Sequence, residues 1–91
     1  MTILRIISRG YDRETYQALR EALDIDRKHP LGLIMHGASD TDGRLRVAQV
    51  WESQEYAECF DEEILIPLLK ESGLSLEAEI TVFDLHHLVT P

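Results

Sequence analysis

Four short apolar stretches alternate along the chain with two stretches of helical spacing. The first, TILRIIS from Thr2 to Ser8, is rich in β-branched residues and closed by Gly10, which predicts a strand. In DRETYQALREAL, Tyr16, Leu19 and Leu23 recur at helical spacing and charges fill most other positions. Asp12 stands ready to cap, so this stretch is an amphipathic helix that ends before His29-Pro30. LGLIMHGA from Leu31 to Ala38 and LRVAQVW from Leu45 to Trp51 flank the polar SDTDGR, which predicts a β-hairpin turning at Asp42-Gly43. Ser53 is the next N-cap, and Tyr56, Phe60, Ile64 and Leu68 mark a stripe running to about Lys70. Pro67 inside that stripe removes a backbone donor, so a kink is expected near Glu63 to Ile66. Gly73 closes the helix, and the alternation from Glu77 to Val89 predicts a long last strand.

Strand, helix, strand, strand, helix, strand predicts an α+β, ferredoxin-like βαββαβ fold, in which a four-stranded antiparallel sheet carries both helices on one face. Residues 1–91 form a single domain without repeat or linker. Ile3, Leu4, Ile6, Ile7, Leu33, Ile34, Met35, Val47 and Val50 put apolar groups on both sides of the strands. A sheet with one such face left in water would be a large sticky patch, so a second copy is expected to cover it and form a homodimer.

Size and charge sharpen this. A chain of 91 residues has a thin core of its own, which association relieves. Nine basic residues against 17 acidic ones, without a basic cluster, argue against nucleic acid or an anionic membrane as partner. A single cysteine, Cys59, excludes an internal disulfide, and the first residues lack the apolar core of a signal peptide. A cytoplasmic location is therefore expected.

The segments HPLGLIMHGA and VAQVWES, with Phe60, Leu65, Pro67, Leu69 and Gly73 in the pattern FxxxxLxPxLxxxG, resemble the dimeric α/β-barrel proteins of the antibiotic-biosynthesis monooxygenase type. The resemblance spans nearly the whole chain. It implies a cofactor-independent monooxygenase-like enzyme acting on an aromatic or polyketide-like small molecule, with Trp51 lining a pocket between sheet and helices. The asparagine and haem-ligating histidine of the haem-degrading relatives have no counterpart, because the chain has no asparagine and neither helix a histidine. No cofactor is expected.

Hairpin parity selects the candidate site. A two-residue Asp42-Gly43 loop pairs Thr41 with Arg44 and sets His36 opposite Gln49, which shares its face with Trp51. A three-residue loop would separate His36 from Trp51. If the three converge, His36 is the candidate catalytic base, taking a proton from an acidic phenol or enol, with Gln49 beside it and Trp51 and Tyr56 as an apolar wall. The plainer alternative makes His36 a hydrogen-bonded core histidine and Trp51 simple packing. Arg5, between apolar neighbours, either binds a substrate carboxylate or pairs with an internal acid such as Asp84.

Other features carry less chemistry. His86 and His87 face opposite ways along a strand, and although Asp84 and His86 share a face, no ligand spacing supports a metal. Cys59 reads as a small apolar filler, and the acidic run from Glu52 to Glu63 as a solvated helix surface. No hydrolase, nucleotide-binding or redox motif is present. Three functions stay open: the monooxygenase-like enzyme, a lactone or enol isomerase using the same histidine, and a non-catalytic ligand-binding or interaction module.

Overall fold

A computed structural model of the protein describes residues 1–25, 27–40 and 43–88. Strand β1 spans Ile3–Arg9, helix α1 Arg13–Leu23, strands β2 and β3 Leu33–Ser39 and Leu45–Trp51, and strand β4 Glu79–Asp84. Between β3 and β4 run helix α2, Gln54–Phe60, a π-helical turn, Asp61–Leu65, and helix α3, Ile66–Glu71. The strands order as β2-β3-β1-β4, all neighbours antiparallel, so the ferredoxin-like arrangement is present.

Local chemistry sets the element ends. Asp12 accepts a hydrogen bond from the Thr15 amide at 2.8 Å and starts α1, and Asp24, in the left-handed region at φ 51°, ends it by donating its amide to the Arg20 carbonyl. Ser53 caps α2 at the Tyr56 amide. The break expected from Pro67 takes the form of the π turn. Proline lacks an amide proton and its ring crowds the carbonyl four residues back, and the widened turn lets the Ile66 amide reach the Asp61 carbonyl, five residues away.

The widened turn corrects the expected stripe. Within α2 the buried face is Ala57 and Phe60, which leaves Tyr56 exposed; beyond it one extra residue shifts the helix phase, so Ile64 is exposed and Leu65 and Leu69 turn inward instead. The last strand also stops earlier than the alternation suggests. Asp84 pairs with Ile3, the first residue of β1, and just beyond the ladder the Leu85 amide donates to the Thr2 carbonyl. Val89, the expected end, lies outside the described residues, as do Thr41 and Asp42 of the expected turn.

The hairpin register beyond that turn sets His36 opposite Gln49. A bulge at Ile34 lets both Leu33, opposite Trp51, and His36 face the helices, with Met35 on the other side. On the helix side Arg5 pairs with Gln49 and Gln49 with His36, so one polar row crosses three strands. It divides the core in two. Ile7, Tyr11, Leu19, Leu45, Val47 and Leu69 pack on one side, and Ile3, Leu33, Trp51, Ala57 and Phe60 on the other.

Among the described residues no helix covers the opposite face, which presents Leu4, Ile6, Met35, Ala48, Val50 and Phe83, with Met35 and Phe83 half exposed. Ile80 and Val82, on the helix side of the edge strand β4, are also exposed.

Candidate functional site

The polar row is held by one acceptor. The Gln49 side-chain oxygen receives hydrogen bonds from Arg5 Nε at 3.3 Å, Arg5 Nη2 at 2.8 Å and Trp51 Nε1 at 2.9 Å. The Arg5 guanidinium turns its other edge to Asp61, donating at 2.7 and 3.1 Å to the two carboxylate oxygens in a bidentate ion pair. The partner acid is therefore Asp61 in the π turn and not Asp84. Asp84 sits at the end of β4, exposed, beside Ile3. Arg5 is 4% exposed and Gln49 5%, so these polar groups lie among apolar neighbours with their bonds made inside the protein.

His36 stands on the other side of Gln49, where two spaces meet. One is an open cleft of about 350 Å³ between α1 and β2, walled by Arg13, Tyr16 and Arg20 from the helix and by His36 to Asp40 from the strand. The other is a small, chiefly apolar cavity of about 60 Å³ beneath it, reached by His36, Gln49, Phe60, Leu65 and Leu69. Tyr16, Arg20, His36 and Leu45 line both. Tyr16 and His36 face each other at this junction, hydroxyl to Nε2 at 3.4 Å, and His36 Nδ1 is buried on the protein side.

The candidates thus separate. His36 and Gln49 meet at the cavity. Trp51 is fully buried one layer behind, its ring 5.5 Å from that of Phe60 and 5.8 Å from the Arg5 guanidinium, and it reaches neither space. Tyr56 lies away from both, packed over Gly32, whose φ of +85° and lack of a Cβ let the ring approach; an added Cβ would stand 2.4 Å from it. Arg13, Tyr16 and Arg20 were not legible as site residues, since Tyr16 reads as core and the arginines as solvated charge. Their signal is positional: steps of three and four on one helix edge, all facing β2.

Among the described residues the charged groups that line the cleft are Arg13, Arg20 and Asp40, and Arg13 and Asp40 form an ion pair. Asp40 accepts from Arg13 at 2.6 Å, and this bond pulls its carboxyl below the ordinary value while raising the guanidinium's own. Elsewhere, a hydrogen bond with Glu63, then burial and further carboxylate charge, raise the pKa of the exposed Cys59 thiol, which disfavours a thiolate. His86 and His87 are exposed beyond β4, and among the described residues no three metal-ligating side chains gather.

Sheet order, register and the helix layer define a ferredoxin-like domain, the fold expected from the sequence. Solved structures place it further. The chain superposes on Rv0793 from Mycobacterium tuberculosis with a TM-score of 0.72 at 14% identity, over 99% of this chain and 100% of that one. SnoaB, a cofactor-independent oxygenase from Streptomyces nogalater, matches with a TM-score of 0.64 at 13% identity, over 99% and 98% of the two chains. The haem-degrading protein Rv3592 from Mycobacterium tuberculosis matches at 0.56 and 14%, over 99% and 100%. No protein-family model and no curated protein matches the sequence. At these identities the likeness establishes the fold, and the chemistry rests on the site.

Proposed function

We propose that the protein is a cofactor-independent, monooxygenase-like enzyme acting on an aromatic or polyketide-like molecule with an acidic phenol or enol, bound in the cleft between α1 and β2. The supporting observation is the meeting of His36, Tyr16 and Gln49 where that cleft opens onto the apolar cavity. In this reading His36, beside the Tyr16 hydroxyl, accepts the substrate proton and leaves an electron-rich anion. That anion reduces O₂. One oxygen atom enters the substrate carbon as a carbonyl, the other leaves as water, and the two hydrogens of the oxidised CH₂ go with it.

The uncovered sheet face and the exposed Ile80 and Val82 support the homodimer as part of the same proposal. Among the described residues no helix is long and apolar enough to cross a membrane, and a cytoplasmic setting completes the reading.

Oxygen uptake with electron-rich phenols tests it: the wild-type protein consumes O₂ and His36→Ala does not. Conversion without oxygen would instead support an isomerase, and ligand-dependent stabilisation without turnover a binding module. Sedimentation tests the dimer. Phe83→Glu places a charge on the uncovered face and should yield monomer, and an unchanged sedimentation coefficient would refute that face as the interface.

A further inference from the structure

We infer that Gln49 supplies the hydrogen bond that holds the reacting oxygen of the substrate, and that Trp51 and Arg5 are the residues that aim it. The inference rests on the proposed reading of the His36 site and assigns it a substrate feature, an acceptor oxygen that becomes anionic.

An amide side chain can usually turn over, exchanging its oxygen and nitrogen. Gln49 cannot. Three N–H groups converge on one of its terminal atoms, and they belong to a guanidinium and an indole, which donate and never accept. Only oxygen can stand there, since the reversed amide would set N–H against N–H three times over. The amide nitrogen is therefore left as the polar group that Gln49 contributes to the cavity it lines with His36 and Tyr16. Neither donor can leave easily. Arg5 is clamped at its far edge by Asp61, and the Trp51 indole is fully buried against Phe60.

The size of the space fits this task. A cavity of about 60 Å³ is too small for an aromatic ring, since benzene occupies engineered cavities of roughly 150 Å³, but it admits one oxygen-bearing corner of a molecule whose rings lie in the outer cleft. A preorganised N–H donor in such an apolar place stabilises an oxygen most when charge develops on it. Accepting three donors also polarises the amide and strengthens its remaining N–H groups. His36, directly across the strand pair, is placed to take the proton that the same oxygen gives up. Trp51 accordingly acts through Gln49, as a positioning residue behind the pocket.

Gln49→Glu separates aiming from donating. The carboxylate is the same size and accepts from Arg5 and Trp51 as the amide does, yet it has no N–H to offer. The probe is 4-nitrophenol, whose neutral and anionic forms differ in colour. Wild-type protein should bind it with the phenolate favoured, seen as a lowered apparent pKa of the bound dye. Gln49→Glu should keep the fold, judged by its melting curve and tryptophan fluorescence, and bind at least about tenfold more weakly without that displacement. Trp51→Phe should show an intermediate loss. Should Gln49→Glu fail to fold, the Gln49 side-chain amide signal of ¹⁵N-labelled wild-type protein decides, and it should move downfield on adding the dye. Equal binding and an equal dye pKa in a folded Gln49→Glu, or an unmoved amide signal with dye bound, would overturn the inference alone. Wild-type protein that binds no phenol would overturn the proposed function and this inference with it.

Discussion

Removing the Asp61 carboxylate should be among the most damaging single changes outside the apolar core. Asp61→Ala leaves the Arg5 guanidinium, 4% exposed, with the Gln49 oxygen and the face of the Trp51 ring but no carboxylate for its charge. Breaking a buried pair in this way costs about 3–5 kcal/mol, against about 0–1 for a pair on the surface. The Asp61 side chain is 21% exposed, so water reaches its outer edge and softens the loss, which places it at about 2–3 kcal/mol. In a domain of this length that lowers the melting midpoint by about 10–20 °C. Asp61→Asn keeps an acceptor oxygen without the charge and should lose less. The double variant Arg5→Met/Asp61→Leu, with neither charge present, should regain most of the loss. Urea unfolding at matched protein concentration measures all three, since any self-association makes stability concentration-dependent. A loss below about 1 kcal/mol for Asp61→Ala would show that the pair behaves as a surface contact and that the π turn is held by other means.

Three further outcomes follow from other parts of the molecule. Gly32→Ala should destabilise by at least about 1–3 kcal/mol, because a side chain at φ +85° is strained and its Cβ meets the Tyr56 ring; Tyr56→Ala in the same chain should restore only the part due to the clash, and full recovery would refute the backbone contribution. The Thr15 amide bond lowers the Asp12 pKa below 3.8, so its stabilisation is complete above that value and disappears as pH falls through the depressed folded value. Asp12→Asn retains a capping oxygen without a titration and should flatten the loss of stability below about pH 4, whereas an unchanged acid slope would contradict the assignment. Binding of 4-nitrophenolate should weaken with added salt and in Arg20→Gln, and affinity indifferent to both would mean that the cleft charges play no part.

Much of this architecture can be read from periodicity alone, and the exceptions have local causes. The order of strands and helices follows from apolar spacing, and the pairing of His36 with Gln49 follows from hairpin parity. Parity says nothing of the bulge at Ile34, which comes before His36 and so leaves that pairing intact while turning Leu33 to the same side. The stripe in the second helical region fails at Ile64 because a π turn changes the period inside one helix, and Pro67 announces a break without saying that it inserts a residue. Asp61 was hidden among acidic neighbours. Its place one turn after the buried Ala57 was the available signal. The residues of α1 that wall the cleft could not be separated from ordinary amphipathic pattern, since the cleft exists only once α1 lies across β2.

The polar row is difficult to explain by stability. A chain of 91 residues has little core to spare, yet Arg5, Gln49 and His36 cross its middle and divide it, with Asp61 recruited to neutralise the guanidinium. Apolar residues of similar volume would serve folding at least as well. Local departures from what folding favours concentrate where a protein does its work. The same double variant that tests the ion pair tests this reasoning from the other side. Arg5→Met/Asp61→Leu should unfold near the wild-type midpoint, while Gln49, held by the Trp51 indole alone, is free to turn its amide. Binding of 4-nitrophenol should then fall although stability does not, and a double variant that is both stable and fully able to bind would show that the row serves packing after all.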